Sequence, residues 1–199
     1  NGSTPRLWVG GRFDTVYTNY GTGGVSRKNI ALFTLDGEVV SDNSAGPIEF
    51  NKQSGNAEVF HIYAPSDFGR VLIAGDFDSM KYYYTFSTTT NVASNGVISF
   101  VPNPDYRRWT ISTLSANKLV IRRIIRIADT DNFYIIGKTS DGVTVQSIIR
   151  KVDYMLRPDI EFSTQQAFPA DADIHDLIVR EDDLIVGGDF DSYMGFSFN

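Results

Sequence analysis

Apolar and polar residues alternate with a period of about two along most of the chain, which predicts strands rather than helices. The clearest run is a glycine phrase, in which two or three apolar residues precede a glycine, a variable residue, Phe and Asp. Full copies stand at residues 7–14, 71–78 and 184–191, and a copy at 133–139 keeps the apolar run and the glycine without the Phe. The register marks are Gly11, Gly75, Gly137 and Gly188. Spacings of roughly 50 to 65 residues predict a repeat architecture.

Two more phrases follow each glycine phrase. A second apolar strand is predicted at residues 29–35, 96–101 and 147–152. Two of these run into an Asp at a turn, Asp36 and Asp153, and then into Ile-Glu-Phe, at 48–50 and 160–162. A third strand, at 59–64, 124–128 and 174–179, leads through a short polar segment into the next glycine phrase, which predicts a hairpin. With no helical period anywhere, we predict an all-β chain.

Glycine inside a strand normally destabilises it, so its recurrence at one place indicates that another backbone comes close there. The convergence of blades on the axis of a β-propeller supplies such a place. The Phe two residues later points to the same face as the glycine and can fill the gap between adjacent sheets. Phe13, Phe77 and Phe190 are therefore predicted core anchors, where Phe→Ala costs about 3–5 kcal/mol.

These phrases resemble the delta-60 repeat family, whose repeats build β-propellers. The resemblance covers nearly the whole chain and implies one repeat domain over residues 1–199, with units at roughly 7–70, 71–132, 133–183 and 184–199. Only about three full repeats and a partial one fit, whereas propellers typically have four to eight blades. We expect the chain to be part of a larger propeller, with neighbouring subunits or an open array as alternatives. A start without Met favours a segment of a longer polypeptide or a processed product.

Charge and composition exclude several functions. The net charge is −6. The densest basic group alternates with isoleucines, as expected of a strand with one solvent-exposed face, and consists of Arg122, Arg123 and Arg126. Nucleic acid is therefore not an expected partner. No apolar run approaches the ~20 residues that cross a bilayer, so membrane insertion is not expected. The absence of cysteine excludes disulfides and thiolate chemistry but leaves the compartment open.

No residue pattern names a reaction, and we predict no catalytic, cofactor or metal site. His61 and His175 are offset by one residue in equivalent strands, so they are expected to face opposite sides and to be structural or surface residues. The acidic clusters are Asp76 with Asp78, Asp129 with Asp131, Asp189 with Asp191, and Asp171, Asp173 and Asp176. Turn chemistry explains them best, and a calcium site remains the alternative. A carbohydrate hydrolase with two facing carboxylates is the alternative function.

Tyrosines after the glycine phrase are the candidate partner-binding residues. They are Tyr17, Tyr20, Tyr82, Tyr83, Tyr84 and Tyr193. On loops, tyrosine offers a large, stiff and half-polar contact surface; the alternative is that each packs on the edge of its own blade. The leading prediction is a non-catalytic scaffold or interaction module of a larger surface-exposed or virion protein, such as a phage tail component. Its expected partners are protein subunits of a larger assembly, with glycans as a further candidate, and its expected location is extracellular or on a virion surface.

Overall fold

The computed structural model describes residues 6–17, 23–40, 48–65, 69–85, 88–100, 118–164, 168–169, 171–181, 183–193 and 196–197. This part of the chain is nearly all-β, in several small antiparallel sheets of which none is closed. Its strands are β1 (Arg6–Gly10), β2 (Thr15–Tyr17), β3 (Gly24–Ser26), β4 (Ile30–Thr34), β5 (Ile48–Asn51), β6 (Glu58–Tyr63), β7 (Val71–Asp76), β8 (Ser79–Thr85), β9 (Thr88–Ala93), β10 (Val97–Phe100), β11 (Lys118–Arg126), β12 (Asn132–Ser140), β13 (Val145–Asp153), β14 (Asp173–Arg180), β15 (Asp183–Asp189), β16 (Ser192–Tyr193) and β17 (Phe196–Ser197). A single helix, α1 (Ile160–Thr164), is found among the described residues.

The glycine phrase forms the central strand of a repeated sheet. β7 lies between β6 and β10 in the second sheet, and β12 lies between β11 and β13 in the third sheet. In the first sheet β1 pairs with β4, and in the fourth sheet β14 pairs with β15. The hairpins expected between the third strand and the next glycine strand are confirmed as β6–β7, β11–β12 and β14–β15. The second apolar strand pairs with the other edge of the glycine strand, antiparallel in each of the first three sheets.

Three of the four glycines occupy one structural position, opposite a β-bulge. Each faces an apolar residue of the preceding strand, in the pairs Gly75–Val59, Gly137–Ile121 and Gly188–Ile174. The next residue of that strand is bulged out of the pairing, at Phe60, Arg122 and His175. A Cβ on any of these glycines would come closer than 3.0 Å to a carbonyl oxygen of the bulged strand. The predicted close backbone approach is confirmed here, but it comes from the neighbouring strand of the same sheet rather than from an adjacent blade.

Gly11 differs from the other three copies. Among the described residues, a Cβ there would meet only the Phe13 ring, at 3.5 Å, which is an ordinary contact. Its carbonyl instead accepts a hydrogen bond from the Val59 N–H at 3.2 Å, which joins the first sheet to the second. The expectation of a close backbone contact at Gly11 is therefore wrong.

The Phe-Asp end of the phrase marks the base of a side hairpin. Gly11 N–H donates to the Asn29 carbonyl (3.1 Å), and Asn29 N–H donates back to the Phe13 carbonyl (2.9 Å). Gly96 repeats both bonds in the second copy, with Gly75 (2.9 Å) and Phe77 (2.8 Å). Between these paired points the chain makes the side hairpins β2–β3 and β8–β9, and β16–β17 follows the last copy.

The copy that lacks Phe-Asp has no such hairpin. β12 turns directly into β13 through residues 141–144, where the Asp141 carboxylate accepts hydrogen bonds from the Val143 (2.9 Å) and Thr144 (2.7 Å) amides. The copy in which Thr139 and Ser140 replace Phe-Asp is thus also the copy without a side hairpin.

The turns after the second apolar strand have the same geometry in two copies, although their residues differ. Gly37 N–H donates to the Thr34 carbonyl (3.1 Å), as Leu156 N–H does to the Asp153 carbonyl (2.8 Å). Both donors are left-handed, at φ 84° for Gly37 and 60° for Leu156. Asp153 therefore matches Thr34, so Asp36 and Asp153, although both lie at the turn, occupy different positions in it.

The two Ile-Glu-Phe segments adopt different structures. The first lies in β5 and pairs with β8, whereas the second opens helix α1. Asp159 stands immediately before the helix, and its carboxylate accepts a hydrogen bond from the Phe162 N–H at 3.3 Å, as an N-cap residue does. The prediction of a chain without helix is wrong at this one segment.

Buried apolar side chains fill the spaces between consecutive sheets in three clusters. Alternate residues of a central strand enter different clusters: Ile73 belongs to the cluster shared with the first sheet, and Leu72 to the one shared with the third. Likewise Ile135 faces the second sheet and Ile136 the fourth. The second and third sheets are thus covered on both faces, in a face-to-face stack that follows chain order.

One of the three predicted phenylalanine anchors is fully buried. Phe77 has 0% exposure and packs on Phe50 with ring centroids 4.3 Å apart. Phe13 and Phe190 are half-buried, and Phe190 makes an edge contact with Phe168 at 5.4 Å. The prediction of a core anchor is thus confirmed for Phe77. Phe190 packs against the third cluster but stays half-buried, as Phe13 does.

Candidate functional site

The predicted tyrosines lie on the side hairpins, as far as they are described. Tyr17 is on β2, Tyr82, Tyr83 and Tyr84 are on β8, and Tyr193 is on β16. Tyr20 lies outside the described residues. Tyr17 is 63% exposed, whereas Tyr82 is half-buried against the cluster that contains Phe77. Tyr17 therefore presents an exposed contact surface, whereas Tyr82 packs on its own sheet. A single aromatic surface formed by tyrosines from several hairpins stays a prediction.

The position just after each bulge joins one sheet to the next. It is occupied by His61, Arg123 and Asp176 in the second, third and fourth sheets. His61 Nδ1 accepts a hydrogen bond from the Ile124 N–H at 2.9 Å, and Arg123 forms an ion pair with Asp176. Burial, and then the nearby Arg123 charge, lower the pKa of His61, which favours the neutral ring that can accept this bond. His61 is thus a structural residue.

His175 does not occupy the same position as His61. It is the bulged residue of its strand, and its Nε2 lies 3.3 Å from a carboxylate oxygen of Asp189. The offset of one residue between the two histidines is confirmed. Among the described residues, no group of three or more His, Asp or Glu side chains is placed to hold a metal ion.

Several aspartates of the acidic clusters form ion pairs with cations from other segments. Asp76 pairs with Lys52 at 2.5 Å. Asp78 pairs with Lys118 at 3.6 Å, and the same carboxylate accepts a hydrogen bond from the Gln53 amide. Sequence reasoning attributed these clusters to turn chemistry and did not foresee the cations that the fold brings to them.

A polar cleft of about 290 Å³ lies beside the base of the first side hairpin; we call it the first cleft. It is lined by residues that follow β1 and precede β4, and by β5 with the segment after it. Arg12, Lys28 and Lys52 are its cations, Asp14 is its carboxylate, and Asn51 and Asn56 are among its amides.

The second cleft, of about 230 Å³, lies between the second and third sheets and shares Lys52 with the first. Its other cations are Lys118, Arg122 and Lys138, and it also contains Asp76, Thr139 and Ser140. Lys118 and Arg122 are 42% and 41% exposed, so their charged ends are open to solvent. Beyond the ion pair of Asp76 with Lys52, the other carboxylate oxygen of Asp76 has no hydrogen-bond partner among the described residues.

Together the two clefts collect six cationic side chains, one third of the 18 Lys and Arg residues of a chain with net charge −6. Four carboxylates line them or pair with their cations: Asp14, Asp76, Asp78 and Asp173. Among the described residues that line the clefts or pair with their cations, the positive charges therefore exceed the negative charges by two. This contrasts with the acidic chain as a whole, so the clefts are electrostatically suited to an anion.

Sequence reasoning missed this site because its cations are scattered over more than a hundred positions, from Arg12 to Lys138. One signal was present. Arg12 and Lys138 each directly follow the register glycine of their copy, the place that Asp76 and Asp189 take in the other two. Equivalent positions in a repeat lie at the same end of the stack. The charge of the residue after each register glycine could therefore have indicated that charged side chains gather at that end.

Comparisons of the chain with protein-family models, with curated proteins and with solved structures gave no match. Within the described residues no helix is long and apolar enough to cross a lipid bilayer. The stack, its side hairpins and the two clefts are therefore the features from which a function can be argued.

Proposed function

We propose that the chain is a non-catalytic scaffold and interaction module of the delta-60 repeat, β-propeller type. It would belong to a larger surface-exposed or virion protein, such as a phage tail component, and bind protein or glycan partners through its loops. The observation that carries the proposal is the repeated unit itself: antiparallel sheets with the same glycine and bulge, stacked face to face in chain order. Such a stack is rigid and presents its hairpins at regular intervals, as propeller blades do.

The propeller arrangement can be tested by shape. Four stacked sheets from a larger propeller follow an arc around its axis, whereas an open array is straight. Small-angle scattering on the purified chain, together with its mass in solution, should give a curved, arc-shaped monomer or a closed oligomeric ring. A monodisperse straight particle would contradict the propeller and leave a linear repeat scaffold.

Partner binding through the side hairpins makes a separate prediction. Tyr17 offers an exposed ring on β2, so Tyr17→Ala should weaken binding to a protein or neutral glycan partner that a binding array identifies. Phe60 is a matched control, because it is also an exposed aromatic residue but lies on a core strand. Equal binding by wild type and Tyr17→Ala, or an equal loss in Phe60→Ala, would show that this hairpin is not the contact surface.

The hydrolase alternative gains no support from the described carboxyl groups. A glycosidase needs one carboxylic acid whose pKa is raised so that it can protonate the leaving group. Hydrogen bonds from the Thr144 and Val143 amides lower the pKa of Asp141, and the Lys151 ammonium lowers the pKa of Asp159. In the second cleft, Asp76 is held in its ion pair with Lys52. We therefore retain the non-catalytic proposal.

A further inference from the structure

We propose that the two cationic clefts together bind an acidic oligosaccharide, with one sugar residue that carries a carboxylate in each cleft. This inference rests on the proposed function in so far as that function includes glycan partners. It assigns the contact to the clefts rather than to the tyrosines of the side hairpins.

Charge is the first ground. Among the described lining residues and their ion-pair partners, positive charges exceed negative ones by two, about one for each cleft, and Lys52 belongs to both clefts. A ligand with one negative charge per sugar unit matches this distribution. A strongly charged backbone, such as that of a nucleic acid, would place further phosphates against Asp14 and Asp76 and against the acidic remainder of the chain.

Size and hydrogen-bonding chemistry are the second ground. Volumes of about 290 and 230 Å³ lie below the usual range for drug-sized ligands and suit single sugar rings. The first cleft also offers acceptors for hydroxyl groups, since Asn51 and Asn56 present side-chain amides there. A ligand that satisfies both the cations and these acceptors must carry negative charge and several hydroxyls, which describes an acidic sugar.

Solvent exposure of the cations is the third ground. Lys118 and Arg122 keep about two fifths of their side chains exposed although they have carboxylate neighbours. The Lys118–Asp78 separation of 3.6 Å is long for a charge-assisted hydrogen bond. An incoming carboxylate can therefore approach the Lys118 ammonium without breaking a strong internal bond.

The test is titration calorimetry of the whole chain with a tetramer of galacturonate, a neutral glucose tetramer and a tetraglutamate peptide. The acidic sugar should bind, and the neutral sugar should bind at least tenfold more weakly. A higher salt concentration should lower the affinity for the acidic sugar. Lys118→Gln and Lys28→Gln, one in each cleft, should each cost about five- to tenfold in affinity. Lys81→Gln is the control, because Lys81 pairs with Glu49 and lines neither cleft. Thermal melts of all variants verify the fold.

Equal binding of the peptide, with the same dependence on Lys28 and Lys118, would overturn the assignment to sugars and leave a site that recognises charge alone. No binding of the galacturonate tetramer, or binding unchanged in both lysine variants, would overturn the cleft site itself. Neither result would contradict the proposed module function, because the binding array with the Tyr17→Ala variant tests that function separately.

Discussion

Substitution of Gly75 by alanine tests the physical basis of the repeat. The added Cβ would overlap the carbonyl oxygen of Glu58, a backbone atom that cannot move aside without opening β6 from β7. Overpacking of this kind costs about 1–3 kcal/mol, and a backbone clash belongs at the upper end. Alanine also lowers the conformational entropy of the unfolded chain, which stabilises the folded state by about 0.4–1 kcal/mol. The net loss should be about 2 kcal/mol, or about 4–8 °C in Tm for a chain of this size.

The matched control is Gly187→Ala, one residue before the equivalent glycine of the fourth sheet. A Cβ on Gly187 would meet no described residue within 4 Å, so this change should be neutral or stabilise by up to about 1 kcal/mol. Gly137→Ala should behave like Gly75→Ala, because it faces the same bulge. Urea unfolding followed by circular dichroism measures all three variants. Wild-type stability in Gly75→Ala, or an equal loss in Gly187→Ala, would refute the bulge as the reason for the glycine.

Three further predictions concern the core and the contacts between sheets. Phe77→Ala should cost about 3–5 kcal/mol in urea unfolding and Phe190→Ala clearly less, because only Phe77 is fully buried; equal losses would contradict this. The lowered pKa of His61 means that the folded state binds fewer protons than the unfolded chain. Stability should therefore be complete above its ordinary pKa of 6.5 and fall as pH drops through the folded-state value, with a smaller fall in His61→Asn. A double-mutant cycle on Arg123 and Asp176, both nearly half exposed, should give a coupling of only about 0.2–1 kcal/mol that decreases with salt; a larger, salt-independent value would place the pair in the core.

The sheet hairpins were predictable because they depend on neighbouring residues. Period-two apolar runs joined by short polar turns specify antiparallel pairing locally, and β6–β7, β11–β12 and β14–β15 formed as expected. The different structures of the two Ile-Glu-Phe segments were not predictable from those three residues. Asp159 supplies an N-cap in one case, while in the other β8 supplies a strand partner from thirty residues away.

Burial at equivalent positions was also decided outside the repeat phrase. Phe77 and Phe190 both stand in the sequence Gly-Asp-Phe-Asp-Ser, yet Phe77 is fully buried in a cluster that contains Phe50, whereas Phe190 packs half-buried against its own cluster. A local pattern states that a side chain is apolar, whereas its burial depends on what covers it. The same limit explains why the predicted tyrosines divided into the exposed Tyr17 and the packed Tyr82.

Sequence alone determined the strands, the repeat and its glycine register, because strand periodicity and the conformational demands of glycine act within a few residues. Tertiary structure alone decided that three of the four register glycines face bulges, that His61 joins two sheets, and that six scattered cations meet in two clefts. Electrostatic and packing interactions act through space, so residues far apart in the chain form a site only after the sheets have stacked.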